Sequence, residues 1–240
     1  MSHDSLIERF FETLITGNRP AARKIVLDAY SSGYSPADLY TEIFWPTYQL
    51  IDRMFRNDQL SLLSHHMSTR LLRTLVDQTA SMLPQREPLG RRVLCFCGPT
   101  EADEMGAQMA VDLLESQGFS VTFGGGGIAN DEILPLVQES QPDVLLLFAS
   151  APQDLPNVRT LIDHIREIGA CPSLQIAVGA GVFARAEGLA EEMGADLWAD
   201  SPMEMVDALI SEPNRRSDSS SRSFGKQRRP GQNGSKTQAA

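Results

Sequence analysis

The chain has 240 residues, 42% of them hydrophobic and 22% charged, with a net charge of −10 at pH 7. That length fits one large or two small domains with a true core, and no apolar run approaches the roughly 18 to 20 residues that span a bilayer. The charge is uneven, +5 over Ser211–Ala240 and −15 over the rest, so the acidic body is excluded as a nucleic-acid surface and only the tail suits one.

Met1-Ser2-His3-Asp4 lacks the basic and apolar regions of a signal peptide. The three cysteines, Cys95, Cys97 and Cys171, have no zinc-type spacing. They read as buried free thiols in a reducing compartment, so a cytoplasmic location is expected.

The first 85 residues repeat apolar side chains at three and four. Leu6, Ile7, Phe10, Phe11, Leu14 and Ile15 predict a helix over Ser5–Thr16, stopped by Gly17-Asn18. Pro20 opens a second helix to Tyr30. Ser35 caps a third, with Pro36 in its first turn and a kink or restart expected at Pro46. The run continues through Met54 and Phe55 to a turn at Asn57-Asp58, and Ser61 begins a last helix with His65, His66 and several leucines. Four or five short-linked helices make a bundle over 1–85.

From Arg91 strands and helices alternate. Val93–Cys97 is a buried first strand, and a helix follows an acidic loop, Gly98–Gly106. That helix is expected to start near Glu104, with Asp103 as its cap. Phe119–Phe123 is a second strand that ends in the run Gly124–Gly127, and Asp131 is expected to cap the helix Glu132–Ser140. Val144–Ala149, Leu174–Val178 and Ala195–Trp198 are further strands; Leu155–Ile168, Arg185–Met193 and Pro202–Ile210 are the helices between and after them. The fold class is therefore α/β: a four- to five-helix bundle, then a flavodoxin-like, Rossmann-type sheet of five parallel strands over 86–212. Residues 213–240 are Ser-, Arg- and Gly-rich and are expected to be a disordered basic tail.

Such sheets bind ligands outside the C-terminal ends of their strands. Gly98-Pro99-Thr100 is not the Gly-x-Gly-x-x-Gly of a dinucleotide site, and no Gly-Lys-Ser/Thr of a P-loop occurs. Phe148-Ala149-Ser150 lacks the aspartate a phosphoryl-accepting domain needs there. No nucleophile–base pair or metal-activating triad emerges, so the chain reads as a binding protein and not an enzyme.

Glu101-Ala102-Asp103-Glu104-Met105-Gly106 resembles the Asp/Glu-x-His-x-x-Gly signature of cobalamin (B12)-binding domains, with Asp103 where the family has the histidine that ligates cobalt from below. Ser150 answers the family's Ser/Thr after the third strand, and Gly179-Ala180-Gly181 its Gly-Gly after the fourth. In the cobalamin-dependent MerR-type light-sensing repressors the helical cap carries a Trp and, nine residues on, Glu-His. Here Phe55, nine residues, then His65-His66 fall in that frame.

The resemblance implies a corrinoid held between bundle and sheet. Phe55, His65, His66, Glu101, Asp103, Gly106, Gly124, Ser150, Gly179 and Gly181 would line it, with His65 or His66 as cobalt ligand on the upper face. It implies a sensory or regulatory role with a signalling partner protein. The alternatives are haem or another tetrapyrrole held through His65 or His66, a ligand-free interaction module, and a corrinoid carrier for methyl transfer. For the histidines the bland reading is one packed and one solvated ring, since helix neighbours point about 100° apart.

Overall fold

The computed structural model describes residues 3–179 and 181–217, with backbone only for Glu101 and Ala102. Helices α1 (His3–Ile15) and α2 (Arg19–Ser31) open the bundle. A capping box between Ser35 and Asp38 starts the short α3 (Pro36–Asp38), which runs into a π-helix, Leu39–Phe44, and then α4 (Trp45–Arg56). The change of pitch lies where the restart at Pro46 is expected. Proline has no N–H for the carbonyl four residues back, and that carbonyl, on Glu42, instead accepts from His3 Nε2 at 2.8 Å. Helix α5 (Leu62–Ala80) is capped by the Ser61 hydroxyl, which accepts from Ser64 N.

The α/β half has strands β1 (Arg92–Cys97), β2 (Ser120–Gly126), β3 (Val144–Phe148), β4 (Gln175–Gly179) and β5 (Leu197–Ala199), all parallel, in the order 2-1-3-4-5. Helices α6 (Glu101–Ser116) and α11 (Pro202–Ser211) lie on the face towards the bundle. The other face takes α7 (Asn130–Ser140), α8 (Leu155–Ile168), α9 (Gly181–Arg185) and α10 (Leu189–Glu192). β3 and β4 are buried along their whole length, as continuous apolar runs between two helix layers should be. The order reverses between β1 and β3, so the switch point sits at their C-terminal ends. One apolar cluster runs from Phe10 and Phe44 in the bundle through Met109 and Leu114 of α6 to Val93 and Leu146 of the sheet, so the two halves share a core.

Several local expectations are corrected. Thr100, not Asp103, caps α6, and the helix begins at Glu101. The second strand, expected to end at Phe123, runs on to Gly126: the register with β1 slips between Cys95 and Phe96, which bulges Gly124 out of the ladder. A Cβ on Gly124 would stand 2.2 Å from the Phe96 ring, so only glycine fits the bulge. Ala129, not Asp131, precedes the first turn of α7. The helix read over 185–193 is shorter: α9 ends at Arg185, and α10 begins only at Leu189, after Gly188 takes φ +83.

The basic tail from 218 lies outside the described residues. Its first part, 213–217, is not free: Gln175 Nε2 donates to the carbonyls of Glu212 and Arg215, Asp196 Oδ1 accepts from Ser217 N at 2.7 Å, and the Arg215 guanidinium lies 4.4 Å over the Trp198 ring. Among the described residues no helix is long and apolar enough to cross a membrane.

Candidate functional site

Residues of α4 and of the C-terminal ends of β3 and β4 line a common cleft of about 240 Å³. Trp45, Tyr48, Asp52 and Arg56 come from α4; Asp103 and Gly106 from α6; Phe148 and Ser150 from the end of β3; Gly179, Gly181 and Arg185 from β4 and α9. The aromatic part is in the depth. Trp45 is 7% exposed, its ring 5.4 Å from that of Tyr48, and a Cβ on Gly106 would be 3.6 Å from both Trp45 and Phe148.

Tyr48 is buried, and that burial pushes its hydroxyl well above the ordinary tyrosine range. The charges of Asp52 and Asp103 add to the shift, and Arg185 and a hydrogen bond with the Ser150 side chain oppose it. Tyr48 thus keeps its proton at any physiological pH. Arg56 pairs with Asp52 at 2.9 Å, and Arg185 donates to the carbonyl of Ser150, tying α9 to the end of β3.

Asp103 is 2% exposed and fully engaged. Its Oδ2 accepts from Thr100 N at 3.0 Å and from the Thr100 hydroxyl at 2.5 Å, closing a capping box. Its Oδ1 accepts from Ser150 N at 2.5 Å. The carboxylate therefore joins the start of α6 to the loop after β3. Gly98 makes room for it: a Cβ there would be 2.6 Å from Asp103 Oδ2 and 2.9 Å from Asp154 Oδ2. Burial, and then the charge of Asp103, push the Asp154 carboxyl up.

Of the residues expected at a ligand, Asp103, Gly106, Ser150, Gly179 and Gly181 come together in this cleft. Phe55, His65 and His66 do not line it. The Phe55 and His65 rings stack at 3.9 Å; His65 is buried and His66 exposed. Gly124 packs on Phe96 at the β2 edge, and the side chain of Glu101 lies outside the description. Glu104 instead makes an ion pair with Arg73 of α5, across the joint between the halves.

The α4 residues are what sequence reasoning misses. Their signal is a stripe at helical spacing, Trp45, Tyr48, Asp52 and Arg56, that mixes buried aromatics with charges where a packing face would be apolar throughout. Among the described residues no group of three or more His, Cys, Asp or Glu side chains is placed to hold a metal ion.

The chain is similar to known corrinoid proteins. A family model described as a B12 binding domain matches residues 6–79, the helical bundle. Monomethylamine corrinoid protein 1 of Methanosarcina mazei is 19% identical over 216 residues, 88% of this chain and 98% of the relative. Dimethylamine corrinoid protein 1 of Methanosarcina acetivorans is 21% identical over 208 residues, 86% of this chain and 96% of the relative. The solved structure of the Methanosarcina barkeri monomethylamine corrinoid protein superposes with a TM-score of 0.77 at 15% identity, covering 88% of this chain and 99% of that one, so the two share a fold.

Proposed function

We propose that the chain binds a corrinoid in the cleft between α4 and the strand ends, and carries it for methyl transfer with a partner methyltransferase. The observation that carries this reading is the extent of the similarity: relatives named as corrinoid proteins align through bundle and sheet alike, and the cleft lies between those two parts. A bound corrinoid supplies a cobalt centre that takes up and passes on a methyl group. The chain's part is to hold and shield it.

The residues present do not fit that group in every respect. Both carboxylate oxygens of Asp103 are committed to hydrogen bonds, so the family's histidine position offers cobalt no ligand. The cavity, at about 240 Å³, is smaller than the roughly 300–1,000 Å³ of sites that take drug-sized ligands.

Gly106 gives a test that separates fold from binding. A Cβ there meets only ordinary contacts at 3.6 Å, and alanine in a helix interior is more stable than glycine by about 1 kcal/mol. Gly106→Ala should therefore melt no lower than the wild type, yet retain less hydroxocobalamin after desalting, because the added methyl group narrows the cleft. The readouts are the melting temperature and the corrin absorption band. A wild type that retains no corrin band overturns the reading, and so does a Soret band with haemin in its place. Equal retention by Gly106→Ala moves the ligand elsewhere.

The second reading is a sensory or regulatory corrinoid protein. Asp103 in place of a histidine speaks against a carrier of the usual kind, since its carboxylate is tied to Thr100 and Ser150. Illumination of an adenosylcobalamin complex separates the two. A change of oligomeric state on photolysis belongs to the sensor, and none to the carrier.

A further inference from the structure

Asp112 of α6 is a buried carboxylate away from the cleft, 8% exposed. Its Oδ2 accepts from the Tyr40 hydroxyl at 2.7 Å and its Oδ1 from Gln108 Nε2 at 2.7 Å. Tyr40 belongs to the π-helix of the bundle and is wholly buried. Its hydroxyl also lies 3.2 Å from the carbonyl of Val76 on α5. One hydroxyl proton thus has two acceptors, one on each half of the molecule.

The protonation of Asp112 decides between them. Ionised, Asp112 takes the Tyr40 proton in a charge-assisted bond. Protonated, its carboxyl donates to the Tyr40 oxygen, and Tyr40 turns its own proton to Val76. Both arrangements keep the carboxyl and the phenol hydrogen-bonded, but only the second spares the joint a buried charge. Burial pushes the Asp112 carboxyl up to about 6. The bonds from Tyr40 and Gln108 oppose that shift, and the carboxylates of Glu115 on α6 and Asp77 on α5 add to it. Burial raises Glu115 as well, and holds the Tyr40 phenol far above its ordinary range, so the phenol stays protonated throughout.

We propose that Tyr40 and Asp112 form a proton-operated latch between the helical bundle and the α/β half, closed more tightly in mildly acidic than in neutral solution. The latch is independent of what the cleft binds. An aspartate in the unfolded chain titrates near about 3.9, so the folded protein holds the extra proton between that value and about 6. The stabilisation is complete below the lower value and is lost as pH rises through the upper one. For one proton the folded-to-unfolded ratio changes by up to about tenfold per pH unit inside that window.

Carboxyl carbon NMR on the full-length wild type tests the titration without any variant. The resonance lost in Asp112→Asn should have a midpoint near 6; a midpoint at or below about 4 overturns the proposal. Urea unfolding from about pH 4.5 to about 7.5 then compares wild type with Asp112→Asn, which cancels the contribution of the histidines. The ratio of their folding constants should fall as pH rises to about 6 and level off above it; a ratio independent of pH contradicts the latch.

Trp45, 7% exposed at the joint, reports on opening. In Trp198→Phe, acrylamide should quench it more strongly at neutral than at acidic pH, and the added Asp112→Asn change should remove that dependence. Quenching indifferent to pH, while Asp112 itself titrates as expected, would leave a buried acid without a latch.

Discussion

Replacing Asp103 with alanine should lower the melting temperature by roughly 10 °C, at about 2–4 °C per kcal/mol for a chain of this size. The carboxylate accepts from Thr100 N, the Thr100 hydroxyl and Ser150 N. Losing its part of the capping box costs about 1 kcal/mol. Leaving the part-buried Ser150 N–H without its acceptor adds about 1–3 kcal/mol. Asp103→Asn, which keeps one acceptor oxygen, should lose less. The absorption bands of a bound corrinoid should not move in either variant, because the carboxylate acts on the protein and not on cobalt. An unchanged melting temperature together with shifted bands would reverse those roles.

Gly181→Ala should be more damaging than its chemistry suggests. Gly181 has φ +53, and a Cβ there would stand 2.2 Å from the carbonyl oxygen of Ala149 and 2.8 Å from Ser150 Cα. Those are backbone atoms at the end of β3, so no side chain can swing aside. The left-handed conformation alone costs alanine about 1–2 kcal/mol. Forcing the ends of β3 and β4 apart, with the Val182 N to Ala149 O bond between them, should bring the total to about 3–5 kcal/mol. Gly169→Ala is the control: φ is +64, but nothing lies within 4 Å of the added atom, so only the conformational cost should appear. Equal losses in the two variants, measured by urea unfolding, would mean that the close approach of the strand ends is not real.

These two sites also show what the sequence could and could not tell. Leu155–Ile168 is legible to the residue, because Leu161, Ile162 and Ile165 form one buried stripe and Gly169 ends it in the left-handed conformation. β3 is legible as an apolar run with no helical period. The bulge at Gly124 is not legible, since it depends on where Phe96 of a neighbouring strand sits. The role of Asp103 was half legible. Thr100 and Asp103 have the spacing of a capping box, but the tie to Ser150 joins residues 47 apart.

The cleft was read from its sheet side. Gly106, Ser150, Gly179 and Gly181 lie at or beyond strand ends in sequence and could be named, while Trp45 and Tyr48 reach the cleft only through where the bundle sets α4. Phe55 and His65, named through the light-sensing resemblance, instead stack on one another outside the cleft.

A corrinoid received in the cleft between α4 and the strand ends would cover both walls at once. Hydrogen exchange of the full-length protein with and without hydroxocobalamin tests it most directly, because it reports binding and place together. Slowed exchange is expected in α4, at Gly98–Gly106, at Phe148–Asp154 and at Gly179–Arg185, with little change in α2 or α8. Protection confined to the Phe55–His66 region, or no protection at saturating hydroxocobalamin, would contradict it.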